Sequence, residues 1–135
     1  MLKDIFESFD SEITEEFLEL LLNAMRISYF FNRDFRKNIE GFEGRYLFKS
    51  RDGKITVAAV FKDGRMKVME KEIGDTDITI SFRSAKALRD FIFSPKPDIL
   101  GSILRQDVVV DGNFNYMYKF AYMAKHLQMM VTGQL

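Results

Sequence analysis

The chain has no cysteine and no tryptophan, two prolines and a single histidine, and its 20 basic side chains are cancelled by 20 acidic ones. Each scarcity removes a class of function. Without cysteine there is no disulfide framework, no thiolate nucleophile and no sulfur-ligated metal. A formal net charge of zero supplies no single-signed field for a phosphate backbone, so no nucleic-acid partner is expected. His126 lies in an apolar helical stretch with no serine or cysteine motif beside it, which leaves a catalytic triad without its parts. Asp75 and Asp77 belong to a Gly-Asp-Thr-Asp turn. Asp107 and Asp111 flank an apolar strand and would hold a metal only with oxygen ligands from elsewhere. Neither catalysis nor a metal or cofactor is expected. Long hydrophobic runs are missing too. The greasiest stretch, residues 17–31, is broken by Glu19, Asn23 and Arg26 and is too short and too polar to span a bilayer. The start, Met1-Leu2-Lys3-Asp4, lacks a leader's basic and apolar pattern, and the last residues do not read as a peroxisomal address. The cytoplasm is the expected compartment.

What is present is a core. The 135 residues suit one domain, and 47% of them are apolar, too many for a disordered chain. Fourteen phenylalanines supply large buried area and eight methionines fill irregular space, as either an ordinary Phe-rich core or a Met-lined cavity would need.

The first forty residues read as helix. Ile13, Phe17, Leu20, Leu21, Ala24, Ile27 and Phe31 keep the spacing of one helical face. Asp10 or Ser11 can cap its start, and Arg33, Arg36 and Lys37 suit the dipole toward its end. A second row, Leu18, Leu22, Met25 and Tyr29, makes the helix apolar on more than one side, as a deeply buried or doubly packed helix would be. The period then becomes alternating. Strands are expected over residues 45–50, 54–61 and 65–71, joined by Arg51-Asp52-Gly53 and Lys62-Asp63-Gly64, where Asp-Gly is a hairpin signal. A fourth strand is expected over 77–82 and a fifth over 107–111. Between them Ser84 starts a helix to about residue 93, Ser94-Pro95-Lys96-Pro97 stops it, and 98–104 reads as a short second helix. Asn113 caps a last helix to about residue 131. The order is that of an α+β domain.

At this point the sequence resembles the sterol carrier protein 2 family. Gly44-Arg45-Tyr46-Leu47-Phe48-Lys49-Ser50-Arg51-Asp52-Gly53 is similar to that family's first strand and turn. The stretch from Val57 to Gly64 resembles its second strand and turn, and Thr76-Asp77-Ile78-Thr79-Ile80-Ser81-Phe82 its fourth strand. Val108-Val109-Val110-Asp111-Gly112-Asn113 resembles the strand and Gly-Asn that open its closing helix. The likeness runs from about residue 30 to 128 and rests on joint order and spacing. It departs at Gln106 and Pro95, where glycines are usual, and at Val57, often an aromatic. The resemblance implies a five-stranded mixed sheet with helices covering one face and an apolar tunnel between. Residues 1–29 would be an N-terminal helical extension and residues 30–135 the lipid-binding domain. It further implies binding of sterols, fatty acyl chains or isoprenoid lipids, with no shared catalytic residues.

Alternation assigns the faces by itself. Tyr46, Phe48, Val57, Ala59, Phe61, Met66, Val68, Ile78, Ile80, Phe82, Val108 and Val110 point one way, toward the helices. The last helix adds Phe114, Met117, Tyr118, Ala121, Met123, Ala124, Leu127 and Met130. The candidate ligand-binding set is Tyr46, Phe48, Val57, Ala59, Phe61, Val68, Ile80, Phe82, Phe91, Ile103, Val110, Met117, Ala121 and Met123, with Tyr118, Tyr122 and Lys125 near a head group. The other sheet face carries Arg45, Lys49, Thr56, Lys62, Arg65, Lys67, Thr79 and Ser81 around an apolar strip of Leu47, Ala58, Val60, Met69 and Val109. That strip needs a cover. The N-terminal helix is the candidate cover, within the chain or, by preference, across a homodimer. An apolar small molecule or lipid is the expected partner, with transient membrane contact as a further option. The rival reading is an accessory subunit that uses the same fold, its cavity filled, to hold another protein.

Overall fold

The computed structural model describes residues 11–84, 87–88, 105–131 and 133. Helix α1 (Ser11–Phe31) is followed by a short helix α2 (Arg33–Arg36) and a 3-10 turn, Lys37–Ile39. Strands β1 (Gly44–Ser50), β2 (Thr56–Lys62) and β3 (Arg65–Met69) form the meander that the Asp-Gly turns predict. Then come β4 (Ile78–Phe82), β5 (Val108–Gly112) and the closing helix α3 (Phe114–Val131). The sheet order is β3-β2-β1-β4-β5, with β1 and β4 parallel and every other neighbour antiparallel. The architecture is α+β with a five-stranded mixed sheet, as expected.

Local chemistry explains the breaks. Asp63 and Gly64 both have positive φ, 54° and 72°, which is what a two-residue hairpin turn requires. The long N-terminal helix ends sooner than its charge pattern predicts. Asn32 adopts an extended conformation and its side-chain oxygen accepts a hydrogen bond from Phe35 N, so it caps a new helix instead of continuing the old one. Arg33, Arg36 and Lys37 therefore lie beyond α1, whose last turn holds no basic residue. Arg36 still reaches back, its guanidinium donating to the carbonyls of Tyr29 and Phe30.

The β1–β2 register pairs Tyr46 with Ala59 and Phe48 with Val57, and β4 adds Ile78 and Ile80 beside the same two aromatics. One face is therefore apolar from β3 to β5, and α1 and α3 both pack against it. Glu15 of α1 accepts from Thr56 N at the start of β2, while Tyr29 meets Phe61 near its end, so α1 runs along β2. Leu18, Leu22, Met25 and Tyr29 join the central core. The N-terminal helix thus covers the inner face and not the outer strip for which it was the expected cover. That strip is crossed by residues 70–77, the return from β3 to β4. Glu72 pairs with Lys49 and the Gly74 carbonyl accepts from the Arg45 guanidinium, both outer-face side chains of β1. Half-buried Ile73 lies between these anchors in sequence, and Leu47 and Ala58 are 3% and 0% exposed.

Candidate functional site

The aromatic alternation on β1 sets the centre of the inner face. Tyr46 stacks beside Phe48, meets Phe61 edge-on, and both β1 rings touch Phe120 of α3. The Tyr46 hydroxyl donates to the Tyr116 carbonyl at 2.6 Å, and the Tyr29 hydroxyl donates to the Met123 sulfur at 3.0 Å. Burial pushes both hydroxyls well above the usual tyrosine range, so each stays a neutral donor. These two bonds tie α3 to β1 and to α1. Gly112 and Asn113 close β5 onto α3. Asn113 N donates to the Asp77 carbonyl, and its side-chain oxygen caps α3 through Asn115 N.

Of the expected ligand-binding residues, Tyr46, Phe48, Val57, Ala59, Phe61, Ile80, Phe82, Met117 and Met123 are buried on this one face. Val68, Val110 and Ala121 are half-buried. Phe91 and Ile103 lie outside the described residues, as do most of the two expected helices over residues 84–93 and 98–104. Ser84 does begin a helical turn, its hydroxyl accepting from Ala87 N, and Ala87 and Leu88 are buried. Ser50 is the only buried polar or charged residue among those described.

The closing helix keeps most of its expected inner row, with Met117, Met123 and Leu127 buried and Ala121, Ala124 and Met130 half-buried, and departs from it at Phe114 and Tyr118. Phe114 and Tyr118 point outward, as do Tyr122 and Lys125, so none of the four faces the interior. Tyr116 and Phe120 turn inward instead and join the core. The row Tyr116, Phe120, Met123, Leu127 and Met130 has regular helical spacing and carries the signal that locates this face. α1 is apolar on both sides. Leu20, Ile27 and Phe31 form a row opposite the buried one and are 66%, 47% and 87% exposed.

Three of the remaining polar candidates have structural partners, while Asp75 and Asp111 are exposed. His126 Nδ1 is 3.1 Å from the Asn38 amide, and its ring packs edge-on against Phe35. Asp77 accepts from Arg45 N at 2.8 Å and pins β4 to β1. Asp107 is paired with Arg83 and Arg105. No group of three metal-ligating side chains occurs among the described residues, and no described helix is long and apolar enough to cross a membrane.

No family model matches the sequence, and none of the curated proteins does. Among solved structures, the sterol carrier protein domain 2 of Helicoverpa armigera superposes with a TM-score of 0.61 at 20% identity, over 83% of this chain and 85% of that one. The fold is that of the sterol carrier protein 2 (SCP2) domains. The UbiJ-SCP2 ubiquinone synthesis protein shares the SCP2 fold at a TM-score of 0.60 and 17% identity, covering 85% of this chain and 95% of that one. SCP2 from Yarrowia lipolytica, in its apo form, gives 0.56 and 13% over 84% and 96%. At these identities the likeness speaks for the SCP2 fold.

Proposed function

We propose that this chain is a non-catalytic carrier that binds a long apolar molecule, a sterol, fatty acyl chain or isoprenoid, between the inner sheet face and its helices. Transfer of that molecule extends the same reading. The observation that carries it is the inner face itself, apolar across all five strands and faced by methionines of α3 that can adapt to varied shapes. Two SCP2-fold neighbours are named as sterol carriers and a third as a ubiquinone synthesis protein, which supports a lipid and keeps an isoprenoid among the candidates. The half-buried Val68, Val110 and Ala121 are the places where the ligand would meet this face. Each methylene removed from water contributes about 0.8 kcal/mol, so ten carbons contribute about 8 kcal/mol before the cost of ordering is subtracted. No reacting group is required. In this reading residues 1–29 are the extension and 30–135 the carrier domain, working in the cytoplasm.

The test is mass spectrometry of an organic extract of the natively folded protein, beside native mass spectrometry of the intact species. A stoichiometric lipid that is lost in Val110→Phe and Ala121→Phe variants with unchanged circular dichroism is the expected result. An empty extract, together with no binding of an added fluorescent fatty acid, would refute the carrier. The exposed row Leu20, Ile27 and Phe31 favours a second reading, a homodimer or accessory subunit held through α1. Native mass spectrometry tests it directly, because Ile27→Glu should convert a dimer to monomer.

A further inference from the structure

The C-terminal half of α1 and the β2–β3 turn enclose a depression of about 510 Å³ that the inner-face reading does not use. Three arginines line it, Arg26, Arg36 and Arg65, and no acidic residue does among those described. Its walls are otherwise apolar or aromatic, with Tyr29, Phe30 and Met66 beside the turn glycine Gly64. Like charges gathered around one hollow repel each other, and an anion between them reverses the sign of that interaction. Two of the three are already aimed by the fold. Arg36 donates to the carbonyls of Tyr29 and Phe30, which offsets the negative end of α1. Arg26 is fixed through Nε by the Asn23 side-chain oxygen at 3.1 Å, which leaves its two terminal nitrogens for a ligand. Arg65 opens the exposed edge strand.

We propose that this depression is a binding site for an oxyanion, the phosphate or carboxylate head of an amphiphile. Guanidinium forks match both groups with paired, charge-assisted hydrogen bonds. The volume exceeds that of a lone phosphate and leaves room for an apolar body against the exposed ring of Phe30. Tyr29 separates this site from the core, its hydroxyl turned inward to Met123. The two sites are therefore distinct, and neither proposal needs the other.

Amide NMR of the full chain reads the site locally. Octyl phosphate, inorganic pyrophosphate and octanol are titrated in turn while the resonances of Gly64, Arg65 and Met66 are followed. Octyl phosphate should shift them saturably, and Arg65→Gln should weaken binding at least tenfold with the fold unchanged. Arg26→Gln should do the same through a residue on a different element. Pyrophosphate moving the same resonances would support the site and show that a free oxyanion suffices. Octanol moving them equally, or affinity within twofold of wild type in both variants, would overturn the proposal.

Discussion

Replacing Gly112 with alanine should separate two costs that glycine usually hides together. Gly112 ends β5 at φ +125°, a conformation closed to side-chain-bearing residues at about 1–3 kcal/mol. A Cβ there would stand 2.3 Å from the Asp77 carbonyl oxygen, just before β4, and 2.9 Å from Ile78 Cα at its start, both backbone atoms that cannot swing aside. Relief requires the β4–β5 pair to part by roughly an ångström, at an overpacking cost of about 1–3 kcal/mol. Together these predict a loss of about 2–6 kcal/mol in urea unfolding and a Tm drop on the order of 10 °C. Gly41→Ala is the control. Its φ is also positive, +68°, but nothing lies within 4 Å of the added Cβ. Only the backbone term of about 1 kcal/mol should appear there. Equal losses in the two variants would refute the claim that close approach of β5 to β4 holds this corner together.

Two further substitutions follow from the same geometry. Gln106 sits at φ +60°, where a glycine is unstrained, so Gln106→Gly should change stability by about 0–1 kcal/mol in the favourable direction, and a clear loss would show the side chain is needed there. Burial of Glu19, then its hydrogen bond and repulsion with Glu70, push its carboxyl up from 4.5 to about 7. A raised carboxyl stabilises the folded state fully below about pH 4.5 and loses that contribution as pH climbs through 7, so α1 should dock more firmly in acid. Glu19→Gln should flatten this part of the pH–stability profile between 5 and 8, by no more than the ~1 kcal/mol typical of exposed charges, and parallel profiles would refute the assignment.

The strands were legible because their punctuation is local. Asp63-Gly64 makes the turn that its two residue types permit, and the alternation of Tyr46, Phe48, Val57, Ala59 and Phe61 fixes which face is buried once the register is set. The face of α3 was harder to read because 13 of the 18 positions in Phe114–Val131 are apolar or aromatic, so more than one phase satisfies a helical period. Only contact with Phe48 and Tyr46 selects the one that turns Phe120 inward. The seat of α1 was not written locally at all. Its two apolar rows are nearly equivalent as sequence, and the choice is made by Glu15 reaching Thr56 and Tyr29 reaching Met123, bonds between residues far apart in the chain. The end of α1 was missed for a smaller reason: a cap at Asn32 outweighs the charge pattern that follows it.

The seating of α1 also has a consequence for synthesis. The helix is made first, yet the strands it packs against end at Met69, about 40 residues after the helix itself. At about 5–20 residues per second, a helix that is apolar on both sides stays uncovered for roughly 2–8 s while β2 and β3 are still being made. Leu22 and Met25 are then as open to strangers as Leu20 and Phe31 remain in the finished fold. A slower ribosome would lengthen that exposure without altering the folded protein, so the yield of this chain should depend on how fast residues 32–69 are translated.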